Sequence, residues 1–406
     1  MLFYRGAGVV DGMQAGLRSG VGLLVQDGRV LAVGTSQEVC PAHAQRIDLG
    51  DGIIVPGFVD AHTHVTIRPG EGGQHEQLQG PPAWQTVRGV RNLQDMLRSG
   101  VTTARIMTEE HDIDVHFKAA IAAGEVAGPR LRVAGRGLSP PGKHGGAVRG
   151  VAGPAALREA VRANAAVGAD HIKIFTTGGV SSVNTSLEES NYSAEEIVAI
   201  VEAAAAHGLT VSAHAHGGAG VDLAVDNGVH SIEHGALMTQ ENVAAVARND
   251  AWVVLTNTIL FHPTGIEQGD AREPAILAKV LQARESMAEA IRHIRAAGIP
   301  VALGTDSMHG LFGYEMQWLV EHGWSPEEAL RAGTSGGAEL CGDSDVGTLS
   351  HSKRADFVVL RGDPTKDITA VYEIEGVYQG GQRVVDAHGV TRPCPPLSDP
   401  RHEEHE

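Results

Sequence analysis

Between residues 53 and 340, short apolar runs alternate with longer alanine-rich amphipathic stretches, and this alternation constrains the fold more than any other feature of the chain. The runs 53–59, 101–106, 131–135, 171–176, 209–214, 229–233, 252–256 and 300–305 read as strands. The stretches 84–99, 113–124, 154–167, 193–207, 217–227, 239–249, 274–297 and 326–340 read as helices. Apolar strands that each feed a helix build a parallel sheet, because parallel neighbours need a long crossover. Eight strand-helix pairs predict an α/β fold, a (β/α)8 TIM-like barrel. Punctuation agrees with periodicity. Ser193-Ala194-Glu195-Glu196 and Ser325-Pro326-Glu327-Glu328 put a hydroxyl cap ahead of early acids, and His207-Gly208 and Ala297-Gly298 read as helix stops.

The barrel is expected over 53–344. Outside it, Gly22 to Gly34 reads as a hairpin turning at Asp27-Gly28, and Ala355 to Leu360 and Val371 to Val384 read as further strands. Residues 1–52 plus 345–393 would then form a small β-sandwich domain from both chain ends, with 394–406 a flexible tail. A length of 406 residues with 42% hydrophobic side chains suffices for one large core and a small one.

A net charge of −17 with no basic cluster argues against nucleic acid and anionic membrane surfaces as partners. The first residues carry no basic, apolar leader pattern, and no apolar run reaches the roughly 18 residues of a membrane span. Cys40, Cys341 and Cys394 have no metal-finger or paired spacing, so reduced thiols in a cytoplasmic protein are expected.

Where the apolar runs end, polar residues of one chemical kind recur. Val55-Pro56-Gly57-Phe58-Val59-Asp60-Ala61-His62-Thr63-His64 carries His-x-His at a strand end, and residues two apart on a strand face the same way. Lys173 sits inside His171–Phe175, and His214, His234 and Asp306 close later runs. A barrel gathers such residues on one face, although they are spread along the whole chain. Lys173 is the anomaly, since a buried ammonium is costly and a cation would repel metal ions. Either a buried acid pairs with it, or the neutral amine becomes a carbamate by adding carbon dioxide.

The order His62-x-His64, Lys173, His214, His234, Asp306 on successive strands resembles the binuclear members of the amidohydrolase superfamily. More narrowly, Gly128-Pro129-Arg130, Gly142-Lys143-His144-Gly145, Tyr192-Ser193 and His214-Ala215-His216-Gly217 resemble one branch of it. That branch holds Xaa-Pro dipeptidases, lysine/arginine carboxypeptidase-like enzymes, imidazolonepropionase-related hydrolases and ochratoxin-degrading amidohydrolases.

The resemblance implies that His62, His64 and Asp306 hold one divalent metal ion and His214 and His234 a second, with carboxylated Lys173 and a water or hydroxide between them. Zinc suits these donors, although manganese, cobalt or iron would too. Asp306 is then the proton carrier in hydrolysis, and His144 the group that holds the carbonyl or developing oxyanion. Tyr192 and His216 are implied substrate contacts, Tyr192 for a carboxylate.

The expected substrate is a small molecule with an amide bond: a dipeptide, an N-acyl amino acid or an ochratoxin-like aryl amide. Alternatives are a neutral amide, carbamate or urea, a deaminase or cyclic-amide ring opener, and a catalytically silent member. Homo-oligomeric assembly is implied as well. Two departures stand out: relatives carry an acid after the arginine of the second strand, where this chain has Arg105-Ile106, and Arg68–Pro82 has no family reading.

Overall fold

A computed structural model of the chain describes residues 1–145, 150–386 and 389–390. The tail expected at 394–406, with Cys394, lies outside the described residues. Eight parallel strands stand at the centre, in two sheets. In one, Val101–Ile106 lies between Phe58–Thr63 and Arg130–Val133; in the other, His171–Phe175, Thr210–Ala215, Ser231–His234, Trp252–Leu255 and Val301–Leu303 pair in chain order. The sheets meet on both sides. A parallel bridge joins Leu138 to Ile174, and on the far side the Asp306 amide donates to the His62 carbonyl at 2.9 Å.

Helices follow the strands as the periodicity requires. Both predicted capping boxes form, with Ser193 accepting from the Glu196 amide and Ser325 from that of Glu328. Gly208 and Gly298 end their helices at φ of 70° and 66°. Helix Phe312–Glu321 was not predicted, although its buried Phe312, Glu315, Met316 and Leu319 keep helical spacing. The stretch read as one helix over 326–340 is three pieces, Pro326–Arg331, a widened π turn Ala332–Gly336, and Gly337–Leu340. The Thr334 hydroxyl donates to the Leu330 carbonyl at 2.6 Å there, and such back-bonding loosens a helical ladder.

The predicted strand 53–59 is two strands. Ile53–Pro56 pairs with Phe357–Leu360 and Gly8–Val9 in a seven-stranded mixed sheet, and Phe58–Thr63 enters the parallel sheet. Gly57 sits at the break because a Cβ there would lie 2.1 Å from Thr102 Oγ1. A second sheet, of Arg29–Gly34, Gly22–Gln26, Leu2–Arg5 and Gln45–Asp48, packs on the first. Their shared core centres on Tyr4, Phe357 and Tyr378, the last two stacked at 4.4 Å. The hairpin turns as expected, with Asp27 and Gly28 both at positive φ. Among the described residues no helix is long and apolar enough to cross a membrane.

Candidate metal centre

His62 and His64 leave the end of Phe58–Thr63 toward one cavity, where Asp306 meets them from the segment after Val301–Leu303. Asp306 Oδ1 lies 3.5 Å from His62 Nε2 and 3.4 Å from His64 Nε2. Those separations are long for charged hydrogen bonds. They match the roughly 3.3–3.6 Å that tetrahedral zinc sets between two donors at its bond lengths. His234 continues the row, its ring 4.7 Å from that of His62 and 4.6 Å from that of His214. Glu233 and His234 are consecutive, and a regular strand would turn them to opposite faces. His234 instead takes φ 76°, as Asp306 takes 46°, and both side chains reach the cavity.

For His62, His64 and His214 a hydrogen bond at one ring nitrogen leaves the lone pair on the other. A carbonyl only accepts, so His64 donates from Nδ1 to Thr108 O (3.2 Å) and His214 from Nε2 to Gly178 O (3.2 Å). His62 Nδ1 donates to Glu233 Oε2 at 2.7 Å, leaving Nε2 buried without a hydrogen-bond partner. His234 Nδ1 is bonded to Thr256 Oγ1 at 2.7 Å. Burial, followed by neighbouring charges, holds His62, His214 and His234 below the usual histidine range, so they stand as neutral donors. A half-buried carboxylate with neutral imidazoles and an orphaned nitrogen is a donor set that fits a divalent metal ion.

Lys173 is buried in the same cavity, its Nζ 5.3 Å from the Phe175 ring centre. Among the described residues no carboxylate lies within ion-pair distance of it. Burial pushes its pKa down to about 8. The nearby acid, Glu233, is engaged elsewhere: Arg105 Nη2 and Ser231 Oγ reach Oε1 at 2.7 and 2.6 Å, and His62 holds Oε2. Arg105 also donates from Nε to Ala61 O at 2.6 Å. This buried Arg105–Glu233–His62 relay was missed from the sequence. An acid and an arginine on alternate strand positions were the only signal, and nothing local pairs residues 128 apart.

In the same cavity, His144 lies 4.5 Å from His214 ring to ring and is bonded through Nδ1 to Ser182 Oγ at 2.7 Å. Its ring rests on Gly179, where a Cβ would be 2.3 Å from Nε2. His216 also lines the cavity; both its ring nitrogens are buried without partners, and burial pushes its pKa down to about 4. Tyr192 is not brought to the cavity. Its hydroxyl donates to Val151 O at a long 3.5 Å, and burial raises its pKa.

A family model described as "Amidohydrolase family" matches residues 53–384. Ochratoxinase of Aspergillus niger is 28% identical over 370 residues, covering 81% of this chain and 75% of the relative. A solved amidohydrolase superposes with a TM-score of 0.87 at 30% identity, over 95% of this chain and 99% of the other. A solved Xaa-Pro dipeptidase, with methionine in its active site, gives 0.84 at 25% identity over 94% and 99%.

Proposed function

The chain belongs to the amidohydrolase family and is a hydrolase of C–N bonds, and from that premise we propose that it cleaves an amide whose leaving side is an amino acid. A dipeptide, an N-acyl amino acid and an ochratoxin-like aryl amide share that chemistry. The observation that carries the reading is the inward turn of His62, His64, His214, His234 and Asp306 around a cavity that also holds Lys173 without an acid partner. We take the two parallel sheets as one closed (β/α)8 barrel and the mixed sheets as a small β-sandwich beside it.

In this reading His62, His64 and Asp306 would hold one divalent ion and His214 and His234 another, with a carboxylated Lys173 as a further anionic ligand; zinc would suit the donors. Bound there, two ions would make water a stronger acid and draw electron density from the substrate carbonyl. Asp306 accepts the proton that the attacking water loses as the C–O bond forms, and then delivers it to the departing nitrogen, so that the amine leaves and the carbonyl returns when the C–N bond breaks. His144, seated on Gly179, holds the carbonyl oxygen from the other side, and His216 orients the substrate beside it.

A second reading, a neutral amide, carbamate or urea, draws on one observation. Among the described residues the cavity lining holds no arginine, and the Tyr192 hydroxyl lies outside it. The deciding comparison is kcat/KM for an acyl-amino acid against its carboxamide. At least a tenfold preference for the free carboxylate is expected, and equal rates would favour the neutral substrate.

A further inference from the structure

The stretch from Arg68 to Pro82 is held together by its own glutamines. The buried Gln77 accepts from the Arg68 amide at 2.8 Å and donates to the carbonyls of Arg68 (2.8 Å) and Gly72 (3.0 Å). Gln85 donates to the carbonyls of Leu78 (2.8 Å) and Gly80 (2.6 Å). From outside, the Arg68 guanidinium bonds Asn92 at 2.9 Å and Asp95 at 3.0 Å. A loop clamped in this way holds its side chains in place before any ligand arrives. Gln77 is turned into the loop, while Gln74, His75 and Leu78 of the same short helix line the cavity.

A second segment, after Trp252–Leu255, supplies Ile259, Leu260 and Ile266 to the same cavity, all buried. The two segments lie against each other, where a Cβ on Gly73 would stand 3.1 Å from Asp270 Oδ1. Ile67 and Phe175 extend the apolar surface. One enclosure thus holds a polar cluster of histidines with Asp306 and, beside it, an aliphatic wall that the hydrolytic chemistry does not use. Apolar surface of this kind gains free energy only when something apolar covers it.

We propose that the wall of Leu78, Ile259, Leu260 and Ile266 selects substrates that carry a bulky apolar group, aliphatic or aromatic, next to the scissile bond. The inference rests on the reading of His62, His64 and Asp306 as the reacting end of the cavity. Leu78 and Ile266 are its specificity-determining residues, one from each segment.

The test needs no turnover. Calorimetry on the full metal-loaded chain measures the affinity of straight-chain carboxylic acids from acetate to octanoate, with the carboxylate as the common head group. Affinity is expected to rise by about fourfold per methylene over several methylenes, the usual worth of a buried CH2. In Leu78→Ala and Ile266→Ala the rise flattens, octanoate losing about tenfold while acetate is unchanged. Leu78→Phe, which fills the wall without emptying it, moves the preferred length to shorter acids. An affinity independent of chain length, or the same slope in all three variants, overturns the proposal. If a broad amide panel shows no turnover while the graded series persists, the amide-hydrolase reading fails and the apolar wall stands. A flat series in an enzyme that turns over amides sinks the wall alone.

Discussion

Two walls of one cavity are held in place by different means. On the strand side, each of four cavity imidazoles is fixed by a partner behind it: Glu233 for His62, the Thr108 carbonyl for His64, Gly178 for His214, Thr256 for His234. On the loop side, Leu78 rides on a segment clamped by its own backbone bonds to Gln77 and Gln85, and Ile266 on a segment that lies against it. The difference separates reaction from selection. Groups that must keep lone pairs aimed within fractions of an ångström sit on strands, while groups that only need to exclude water sit on loops that can be exchanged.

The comparison breaks most completely at Asp306. Asp306→Asn should lower turnover by about a thousandfold or more, since it removes the proton carrier and a ligand together. Stopped assays with elemental analysis of the same sample check this, and near-normal turnover would remove Asp306 from the mechanism. Lys173→Ala comes next: metal content should fall from close to two ions per chain toward one, with activity partly restored by a short carboxylic acid. Lys173→Arg should not substitute, and a metal content unchanged in both variants would refute its role as a ligand.

Behind the ligands, Glu233→Gln leaves Arg105 buried and unpaired. A loss of about 3–5 kcal/mol of stability and a 10- to 100-fold weaker metal affinity are expected, read by denaturation and metal titration. Pairing it with Arg105→Met should recover part of the stability but not the metal affinity. On the loop side, Ser182→Ala should lower kcat/KM by about tenfold with metal content unchanged, because only the His144 ring is freed. Gly179→Ala, which pushes a methyl into that ring, should do more. Smallest of all, Tyr192→Phe should change stability by less than about 1 kcal/mol and leave the preference between acyl-amino acid and carboxamide as it was, given its long contact to Val151. A shift in that preference would return Tyr192 to the substrate.

Much of this was legible from the chain alone, for physical reasons that also mark the limits. Polar residues closing apolar runs could be found because a parallel strand buried on both faces reads as a near-continuous apolar run, against which a histidine or aspartate stands out. The caps at Ser193 and Ser325 are local chemistry, completed within three residues. By contrast, the reading of Ile53 to Val59 as one strand runs across Pro56-Gly57, a break signal in the chain itself, and which sheet each half joins depends on distant partners, Phe357–Leu360 and Val101–Ile106. The Arg105–Glu233 pair escaped for the same reason. Gln77 reads as polar loop, since an amide that clamps its own backbone has the composition of one facing water.

The break at Gly57 also bears on how the molecule could be cut. In Ile53–Pro56, Ile54 packs into the core shared by the two mixed sheets, while Ile53 and Val55 belong to the main core. Its partner repeats the pattern, Phe357 and Val359 on one side, Val358 and Leu360 on the other. This ribbon is a party wall between two rooms. A fragment trimmed to residues 53–344 would keep Ile53–Pro56 and lose both strands that flank it, leaving an apolar strand with two bare edges only a few residues ahead of His62. Such a fragment invites edge-to-edge association, so the ends of the chain are part of the catalytic body's solubility.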